Sequence, residues 1–232
     1  MPILQIAGVR RQYQGLRPLR LNALSIEAGE RVAVSGLDAG AAEVLVNLVT
    51  GASLPDEGEV IVAGRGTASI SDGDDWLASL DRFGLVSPRA VLLDGASLLQ
   101  NLAMPLTLEI EPVPPPVAAR VHELAREAGI DLALLDRPIA GLDAGTRARA
   151  HLVRAIALDP ALLVMEHPTA GLAPGDAKPF GEAVARTAAA RNLATLIISE
   201  DAEFSEAAAT RRLALHAASG ELRPPRRRFF GF

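Results

Sequence analysis

The chain contains no cysteine and only one lysine, and both shortages limit the chemistry that it can perform. Without cysteine, neither a disulfide framework nor a thiolate metal site can form, which is consistent with a cytoplasmic protein. Lys178 is the only lysine among 23 basic residues, so no mechanism can use a lysine elsewhere. No apolar run approaches the roughly 20 residues that span a bilayer. The first residues also lack the apolar segment of a signal peptide.

Size and charge favour a globular domain without a nucleic-acid partner. The 232 residues are 49% hydrophobic and 22% charged, which is enough apolar material to bury a large core. The formal net charge of −5 gives no overall positive surface for nucleic acid. We therefore expect the partners of this chain to be other molecules.

Strand-like and helix-like segments alternate along the chain. Short apolar or β-branched runs are predicted strands, and segments with apolar residues at helical spacing are predicted helices. The predicted strands cover 4–9, 21–26, 31–36, 59–63, 83–87, 161–166 and 194–199, and the predicted helices cover 41–50, 146–158 and 177–190. This alternation predicts an α/β fold with a mainly parallel sheet flanked by helices.

The composition changes between about residues 90 and 146. The proline-rich stretch 109–117 forms a rigid connector, and a strongly helical pattern follows it as far as Gly129. We interpret this region as a helical insertion into a single domain that covers 1–222. The basic and aromatic tail, 223–232, either contacts anionic lipid or a partner groove, or is a disordered end.

The segment 35–51, SGLDAGAAEVLVNLVTG, begins like a phosphate-binding loop and continues like the helix that follows such a loop. In a phosphate loop, backbone N–H groups hold the phosphates, a lysine neutralises them, and a Ser or Thr hydroxyl binds Mg²⁺. Neither the lysine nor the hydroxyl is present here. The pattern therefore predicts the shape of the loop without two of its usual binding groups.

A second segment, 142–172, carries a resemblance to a known family. Its sequence, LDAGTRARAHLVRAIALDPALLVMEHPTAGL, resembles the signature motif, the following helix, the Walker B strand and the D-loop of the ATP-binding subunits of ABC transporters. The resemblance extends from about residue 3 to residue 222. It implies an ABC-type P-loop NTPase fold with an N-terminal antiparallel β-subdomain and a helical subdomain at about 90–146. It also implies ATP and Mg²⁺ as cofactors.

The phosphate loop departs from the family pattern at the positions that bind the nucleotide. Ala42 stands at the lysine position, Glu43 at the hydroxyl position, and Ala39 replaces the second glycine. A carboxylate at Glu43 places negative charge beside the triphosphate, and one such pair at ~4 Å costs about 4 kcal/mol at an effective dielectric constant of ~20. The cofactor-binding positions that the resemblance implies in this loop are Gly36, Asp38, Gly40, Ala42, Glu43 and Val44.

The other catalytic positions of the family are also substituted. Glu166 stands at the position of the Mg²⁺-linked aspartate, and His167 at that of the general-base glutamate. Glu200 stands at the switch-histidine position, Pro88 at the Q-loop glutamine and Ala173 at the D-loop aspartate. These losses together predict that hydrolysis is lost or very weak and that ATP and Mg²⁺ bind weakly or not at all.

Two further positions allow more than one interpretation. The signature serine is replaced by Asp143, next to Gly145, in a motif that contacts the nucleotide of the opposite subunit in the family. We expect Asp143 to act as a helix N-cap. Tyr13 matches the aromatic residue that stacks on adenine, although it can equally be an ordinary strand or surface tyrosine.

The resemblance favours an ATP-binding-cassette-like subunit of a membrane transport complex that is catalytically inactive and has a structural or regulatory role. The implied partners are a membrane-spanning permease and a second cassette, in a homodimer or heterodimer. The permease would hold the chain at the inner face of the cell membrane. An alternative is a nucleotide-binding or active ATPase with atypical residues, for which Tyr13, Gly36 and Gly40 are the support.

A third hypothesis is a cation-binding module in the vacated site. It requires several side chains to converge there, namely Asp38, Glu43, Glu166, His167 and Glu200. The alternative is a solvated acidic pocket without a specific ligand, and we favour an absence of bound metal. Because the family has a glutamate and a histidine where this chain has His167 and Glu200, we also expect these two side chains to contact each other.

Overall fold

The strands of the protein form two sheets in the computed structural model, which describes residues 1–225. The strands are β1 (Leu4–Arg11), β2 (Leu19–Ile26), β3 (Arg31–Ser35), β4 (Glu57–Val62), β5 (Arg65–Gly66), β6 (Phe83–Val86), β7 (Leu162–Glu166), β8 (Ala194–Ile198), β9 (Arg211–His216) and β10 (Glu221–Arg223). A four-stranded sheet has the order β2-β1-β4-β5, and all of its pairs are antiparallel. A six-stranded sheet has the order β10-β9-β3-β8-β7-β6.

The larger sheet is parallel from β9 to β6, and only the short edge strand β10 runs antiparallel. Every residue of β7 and β8 is buried. Strands covered on both faces read as continuous apolar runs, which is why LLVM and ATLII were recognisable as strands. The predicted fold class, a mainly parallel sheet flanked by helices together with an N-terminal antiparallel sheet, is confirmed.

Seven helices connect the strands of the described part of the chain. They are α1 (Ala39–Val49), α2 (Gly73–Ser79), α3 (Leu98–Ala103), α4 (Pro115–Glu127), α5 (Ala144–Ile156), α6 (Ala177–Ala190) and α7 (Ala202–Ala208). Helices α3 and α4 lie in the predicted insertion, between β6 and β7. Within residues 1–225, none of the helices combines the length and the apolar character that crossing a bilayer requires.

One end of the larger sheet and several short helices differ from the sequence-based expectations. Strands β9 and β10 and helices α2, α3 and α7 were not predicted, because they are short and carry exposed residues. Strand β10 ends at Arg223, one residue inside the predicted tail. The rest of the tail prediction concerns 226–232, which lie outside the described residues.

Two hydrophobic cores lie on opposite faces of the parallel sheet. Leu163 and Met165 of β7 point into the core shared with α3, α4, α5 and α6. Leu162 and Val164 of the same strand point into the core shared with α1 and the antiparallel sheet. Alternate residues of a strand point to opposite faces, so β7 contributes to both cores and fixes their positions relative to one another.

Arg191, directly after α6, joins three helices near one edge of the insertion. Its Nη2 donates to Glu127 Oε2 at 2.7 Å and its Nη1 to Asp159 Oδ1 at 2.6 Å, at the ends of α4 and α5. The side chain is 16% exposed, and its Nη1 also donates to the carbonyl oxygen of Ile156. The hydrogen bonds to Glu127 raise the pKa of Arg191 above its ordinary value.

We expect Arg191→Ala to lower the free energy of unfolding by about 2 kcal/mol, because two carboxylates lose their largely buried partner. Urea denaturation of the purified chain measures the change. Arg212→Ala is the matched control, since its pair with Glu206 spans 3.5 Å between exposed side chains. That control should cost less than about 1 kcal/mol. Equal losses in the two variants would contradict the structural role of Arg191.

Asp143 begins helix α5. Its Oδ1 accepts a hydrogen bond from the Thr146 backbone N–H and its Oδ2 one from the Thr146 hydroxyl, both at 2.7 Å. The expected N-cap is therefore confirmed. These hydrogen bonds from Thr146 lower the pKa of Asp143.

We expect Asp143→Ala to destabilise the protein by about 1 kcal/mol at neutral pH. Because the folded pKa is lowered, the ionised cap contributes fully above the unfolded pKa of about 3.9, and the contribution fades as the pH falls through the folded value. Denaturation curves of wild type and variant between neutral and acidic pH measure this convergence. Asp143→Ala should therefore differ from wild type less at acidic pH than at neutral pH. Asp143→Asn is the control, because it keeps a hydrogen-bond acceptor without the charge. A loss of unfolding free energy in Asp143→Ala that is constant with pH would contradict the role of the ionised cap.

Candidate functional site

The predicted site residues lie at one edge of the parallel sheet. The order β3-β8-β7-β6 brings the carboxyl ends of these strands together, with Val34 beside Ile198 and Ile198 beside Glu166. The residues that follow the strand ends are the loop 36–38, Glu200, His167 and the segment 87–94. Ligands of parallel α/β sheets bind at this edge, so the topology places the family positions where a nucleotide site belongs.

Gly36 makes the turn from β3 into the loop. Its φ is +87°, in the region that favours glycine, and a Cβ atom at this position would lie 2.6 Å from the carbonyl oxygen of Leu215 in β9. The next residue, Leu37, is 1% exposed and anchors the loop in the core. The path of the loop therefore follows from packing within the chain.

Helix α1 carries its own anion at its N-terminus. Asp38 is the N-cap, and its Oδ1 accepts from the backbone N–H of Ala41 at 2.8 Å. Ala42, at the lysine position, is fully buried with Leu45 in the core beneath the loop, and Val44 packs against the same core. The first turn of this helix is thus capped by a carboxylate and packed by small apolar side chains.

Tyr13 lies against the phosphate loop. A Cβ atom on Gly40 would meet Tyr13 Cε2 at 3.3 Å and Asp38 Oδ1 at 3.6 Å, so the ring and the carboxylate share the surface above Gly40. Burial, and then the charge of Asp38, raise the pKa of the Tyr13 phenol. The tyrosine is half-buried beside the loop and is not an isolated surface residue.

Glu200 contacts the beginning of the loop. One of its carboxylate oxygens, Oε1, accepts from the backbone N–H of Gly36 at 2.6 Å and from that of Leu37 at 3.2 Å. The two hydrogen bonds from backbone amides to this carboxylate oxygen are charge-assisted. They connect the end of β8 to the end of β3.

The expected contact between His167 and Glu200 is wrong. No ion pair within 4.0 Å joins them in the described part of the chain, and His167 Nε2 is buried there without a hydrogen-bond partner. The reason is that Glu200 follows β8, which lies between β3 and β7, and its carboxylate turns toward the amide donors on the β3 side. His167 itself has a φ of +41°, and its backbone N–H donates to Ile198 at 2.8 Å.

Arg89 is a residue of the candidate site that the sequence motifs did not reveal. Its Nη1 and Nη2 donate to the two oxygens of Glu166 at 3.0 and 2.7 Å. Its Nη1 also lies 3.4 Å from Oε1 of Glu43. Ser87 adds a hydroxyl donor to Glu166 at 2.8 Å. One guanidinium thus joins the two carboxylates that stand at the family's metal-binding positions.

The cluster of acidic residues does not converge as the cation-binding hypothesis requires. Among residues 1–225, no group of three or more His, Cys, Asp and Glu side chains is placed to hold a metal ion. The carboxylates are divided instead between backbone amides and Arg89. The expected convergence of these residues is therefore wrong, because Asp38 and Glu200 accept hydrogen bonds from backbone amides, whereas Glu43 and Glu166 share Arg89.

The remaining family positions lie in the segments that follow β6 and β7 and at the start of α5. Pro88 is exposed, next to Arg89 in the segment after β6, and Ala173 is exposed in the loop after β7. Gly145 is buried at the start of α5, where a Cβ atom would lie 3.2 Å from Asp143 Oδ1. In the described part of the chain, the side chain of Asp143 bonds only within its own helix turn.

A groove of about 420 Å³ lies beside the site, between the segment 86–94 and the first turns of α5. Arg147, His151 and His167 line it together with apolar side chains. Burial, and then the neighbouring charge of Arg154, lower the pKa of His151. Val91, which lines the groove, and Leu93 of the same segment are 70% and 49% exposed, which leaves apolar surface uncovered.

Comparisons with known proteins agree with this architecture. The family model described as ABC transporter matches residues 19–170. The lipoprotein-releasing system ATP-binding protein LolD of Chromohalobacter salexigens is 32% identical over 174 residues, which cover 73% of each chain. LolD of Alcanivorax borkumensis is 28% identical over 208 residues, which cover 88% of this chain and 90% of that protein.

Solved structures give the same fold at lower sequence similarity. CbiO1 from Clostridium perfringens, part of the ABC transporter complex CbiONQ, superposes with a TM-score of 0.80 at 19% identity, over 96% of this chain and 87% of that one. The ADP- and phosphate-bound dimeric cassette MJ0796 superposes with a TM-score of 0.74 at 19% identity, over 99% of this chain and 100% of that one. Given the family match, the relatives and the strand-end arrangement, the chain belongs to the ABC transporter family, as an ATP-binding-cassette subunit.

Proposed function

We propose that this chain is a cassette subunit of a membrane transport complex that does not hydrolyse ATP and that has a structural or regulatory role. The observation that carries the proposal is the ion pair of Arg89 with Glu166 and Glu43. These two carboxylates stand where the family has the Walker B aspartate and the phosphate-loop hydroxyl. Arg89 pairs with both, so the two side chains at the positions that would hold Mg²⁺ are already compensated by a cation of the chain.

The residues present do not fit magnesium nucleotide. The lysine position is a buried alanine, Ala42. The amides of Gly36 and Leu37 bond to Glu200, and that of Ala41 bonds to Asp38. A nucleotide would therefore have to displace two carboxylates from the donors that normally hold its phosphates.

The proposed partners are a membrane-spanning permease and a second cassette. CbiO1 is described as part of a transporter complex, and MJ0796 as a dimer. The exposed apolar side chains of Val91 and Leu93, beside the groove at 86–94, support a protein partner that covers this surface. Through such a permease the chain would lie at the cytoplasmic face of the membrane. The domain limits 1–222, with a helical subdomain at about 90–146, are part of the same proposal.

A second candidate function is a cassette that binds nucleotide and supports transport with atypical residues. The relatives in the LolD group and the methionine import protein MetN of Brucella abortus are described as ATP-binding proteins. In this chain, Gly36 keeps the turn of the loop, and Tyr13 lies beside it. Binding would then depend on the Tyr13 ring and on backbone N–H groups alone.

Nucleotide titration separates these two functions. We expect isothermal titration of the purified chain with MgATP to show no saturable binding in the micromolar range, because the lysine is missing and Glu43, Asp38 and Glu200 add negative charge. A dissociation constant of a few micromolar would support the second candidate. Tyr13→Ala is the control for that outcome, since it should abolish any binding that rests on the aromatic ring.

Restoring the loop chemistry alone should not restore hydrolysis. We expect Ala42→Lys combined with Glu43→Ser to show no phosphate release above a buffer blank. The reason is that Arg89 still bonds to Glu166, and that His167 stands at the position of the catalytic base. A cassette that carries all of the family's catalytic residues, assayed in parallel, is the positive control. Steady turnover by the double variant would contradict the proposed loss of catalysis.

A further inference from the structure

The vacated nucleotide site is filled by charges of the chain itself. We propose that Arg89 is a built-in replacement for Mg²⁺ and that Glu200 is a built-in replacement for a phosphate oxygen, so that the site is held together permanently without a ligand. This inference rests on the proposed function, because a cassette that turned over ATP would have to release both side chains in each cycle. Three observations carry it.

The first observation is the position of the guanidinium. Arg89 contacts Glu166 through both terminal nitrogens, at 3.0 and 2.7 Å, and reaches Glu43 at 3.4 Å. Glu166 ends β7, and Glu43 lies in the first turns of α1. A metal ion at these two positions would join the same two elements. The arginine adds a third, because it belongs to the segment that follows β6.

The second observation is the burial of Glu166, which is 2% exposed. A buried carboxylate is unfavourable unless a cation or hydrogen-bond donors compensate it. Ser87, itself 5% exposed, supplies one donor, and Arg89 supplies two more together with the positive charge. The planar guanidinium matches the two oxygens of a carboxylate, so it can replace a metal that the chain no longer binds.

The third observation is the anion at the loop. Glu200 places one oxygen against two successive backbone N–H groups, those of Gly36 and Leu37, at the start of the phosphate loop. Successive backbone N–H groups of this kind form anion-binding sites in proteins. The carboxylate satisfies donors that a phosphate would otherwise occupy. The chain itself therefore supplies both the cation, Arg89, and the anion, Glu200, of this site.

The consequence concerns the segment that leads into the helical insertion. Ser87 and Arg89 hold this segment to β7, and Arg154 of α5 donates to the carbonyl oxygen of Val91 at 2.7 Å. Helix α3 begins a few residues later, at Leu98. Because each of these contacts is made within the chain, the attachment of the insertion to the sheet does not depend on nucleotide.

The test of the cation is Arg89→Ala in the full-length chain, measured by thermal unfolding without nucleotide. We expect the melting temperature to fall by about 5 °C or more, because Glu166 loses its cation. Millimolar MgCl₂ should recover part of the loss in Arg89→Ala and leave wild type unchanged. The double variant Arg89→Ala/Glu166→Gln should recover stability without MgCl₂, since the buried charge is gone, and should not respond to it.

Arg10→Ala is the matched control, because Arg10 forms a 3.0 Å pair with Glu57 between exposed side chains. A melting temperature of Arg89→Ala equal to that of Arg10→Ala would overturn the proposal. A large loss that neither MgCl₂ nor Glu166→Gln recovers would also overturn it, since Arg89 would then act by packing alone. Arg89→Ala alone could fail to fold, and the double variant Arg89→Ala/Glu166→Gln then decides. A folded double variant supports the proposal, and an unfolded one overturns the proposal.

The test of the anion is Glu200→Ala, which frees the two loop amides. We expect inorganic phosphate to raise the melting temperature of Glu200→Ala more than that of wild type, in which the carboxylate already bonds to the amides. Equal responses would contradict the replacement of phosphate by Glu200. These tests contain no nucleotide, so they can fail while the proposed function stands. ATP turnover by wild type would contradict the proposed function by itself.

Discussion

A parallel sheet that is covered on both faces brings the carboxyl ends of its strands to one edge, and the rest of this protein depends on that constraint. The burial of β7 and β8 fixes the two cores, since their alternate side chains point into both. It also fixes the distance between the loop after β3, the carboxylate at the end of β7 and the segment after β6. The charges at this edge can therefore meet without any ligand to assemble them.

The carboxylates at this edge of the sheet need positive charges or hydrogen-bond donors beside them, and this requirement limits what can bind there. In an active cassette, the anions of the protein and of the nucleotide share a metal ion. Here the carboxylates of Glu166 and Glu43 share Arg89, and the loop amides bond to Glu200. A buried carboxylate needs a partner whether or not a reaction takes place. In this chain, Arg89 meets that requirement for Glu166.

The sequence was sufficient to predict the helices and strands that bury continuous apolar surface. Helix α6 was predicted over 177–190 and occurs as Ala177–Ala190, because its pattern follows a helical period between clear ends. The cap at Asp143 was also predictable, since a short polar acceptor before a helical pattern has one common role. The strands at the edge, β9 and β10, were not found, because half-exposed short strands carry little periodic signal.

The candidate site was only partly predictable, for a different reason. Motif spacing places residues at strand ends, but it does not say toward which neighbour a side chain turns. Glu200 was expected to meet His167 and instead bonds to two backbone amides, which no side-chain pattern displays. Arg89 lies outside the family's functional positions, so its role appears only when Glu43 and Glu166 are seen around it.

Gly36 shows that a residue of a binding motif can also be required by packing. The carbonyl of Leu215 excludes any side chain at this position, and the backbone angle favours glycine independently. One restriction comes from the neighbouring strand and the other from the turn itself, and neither requires a phosphate. Folding alone therefore requires this glycine, whether or not the loop binds a phosphate. In a diverged cassette the first glycine of the loop reports ancestry, and the enzymatic state has to be judged from the charges around it.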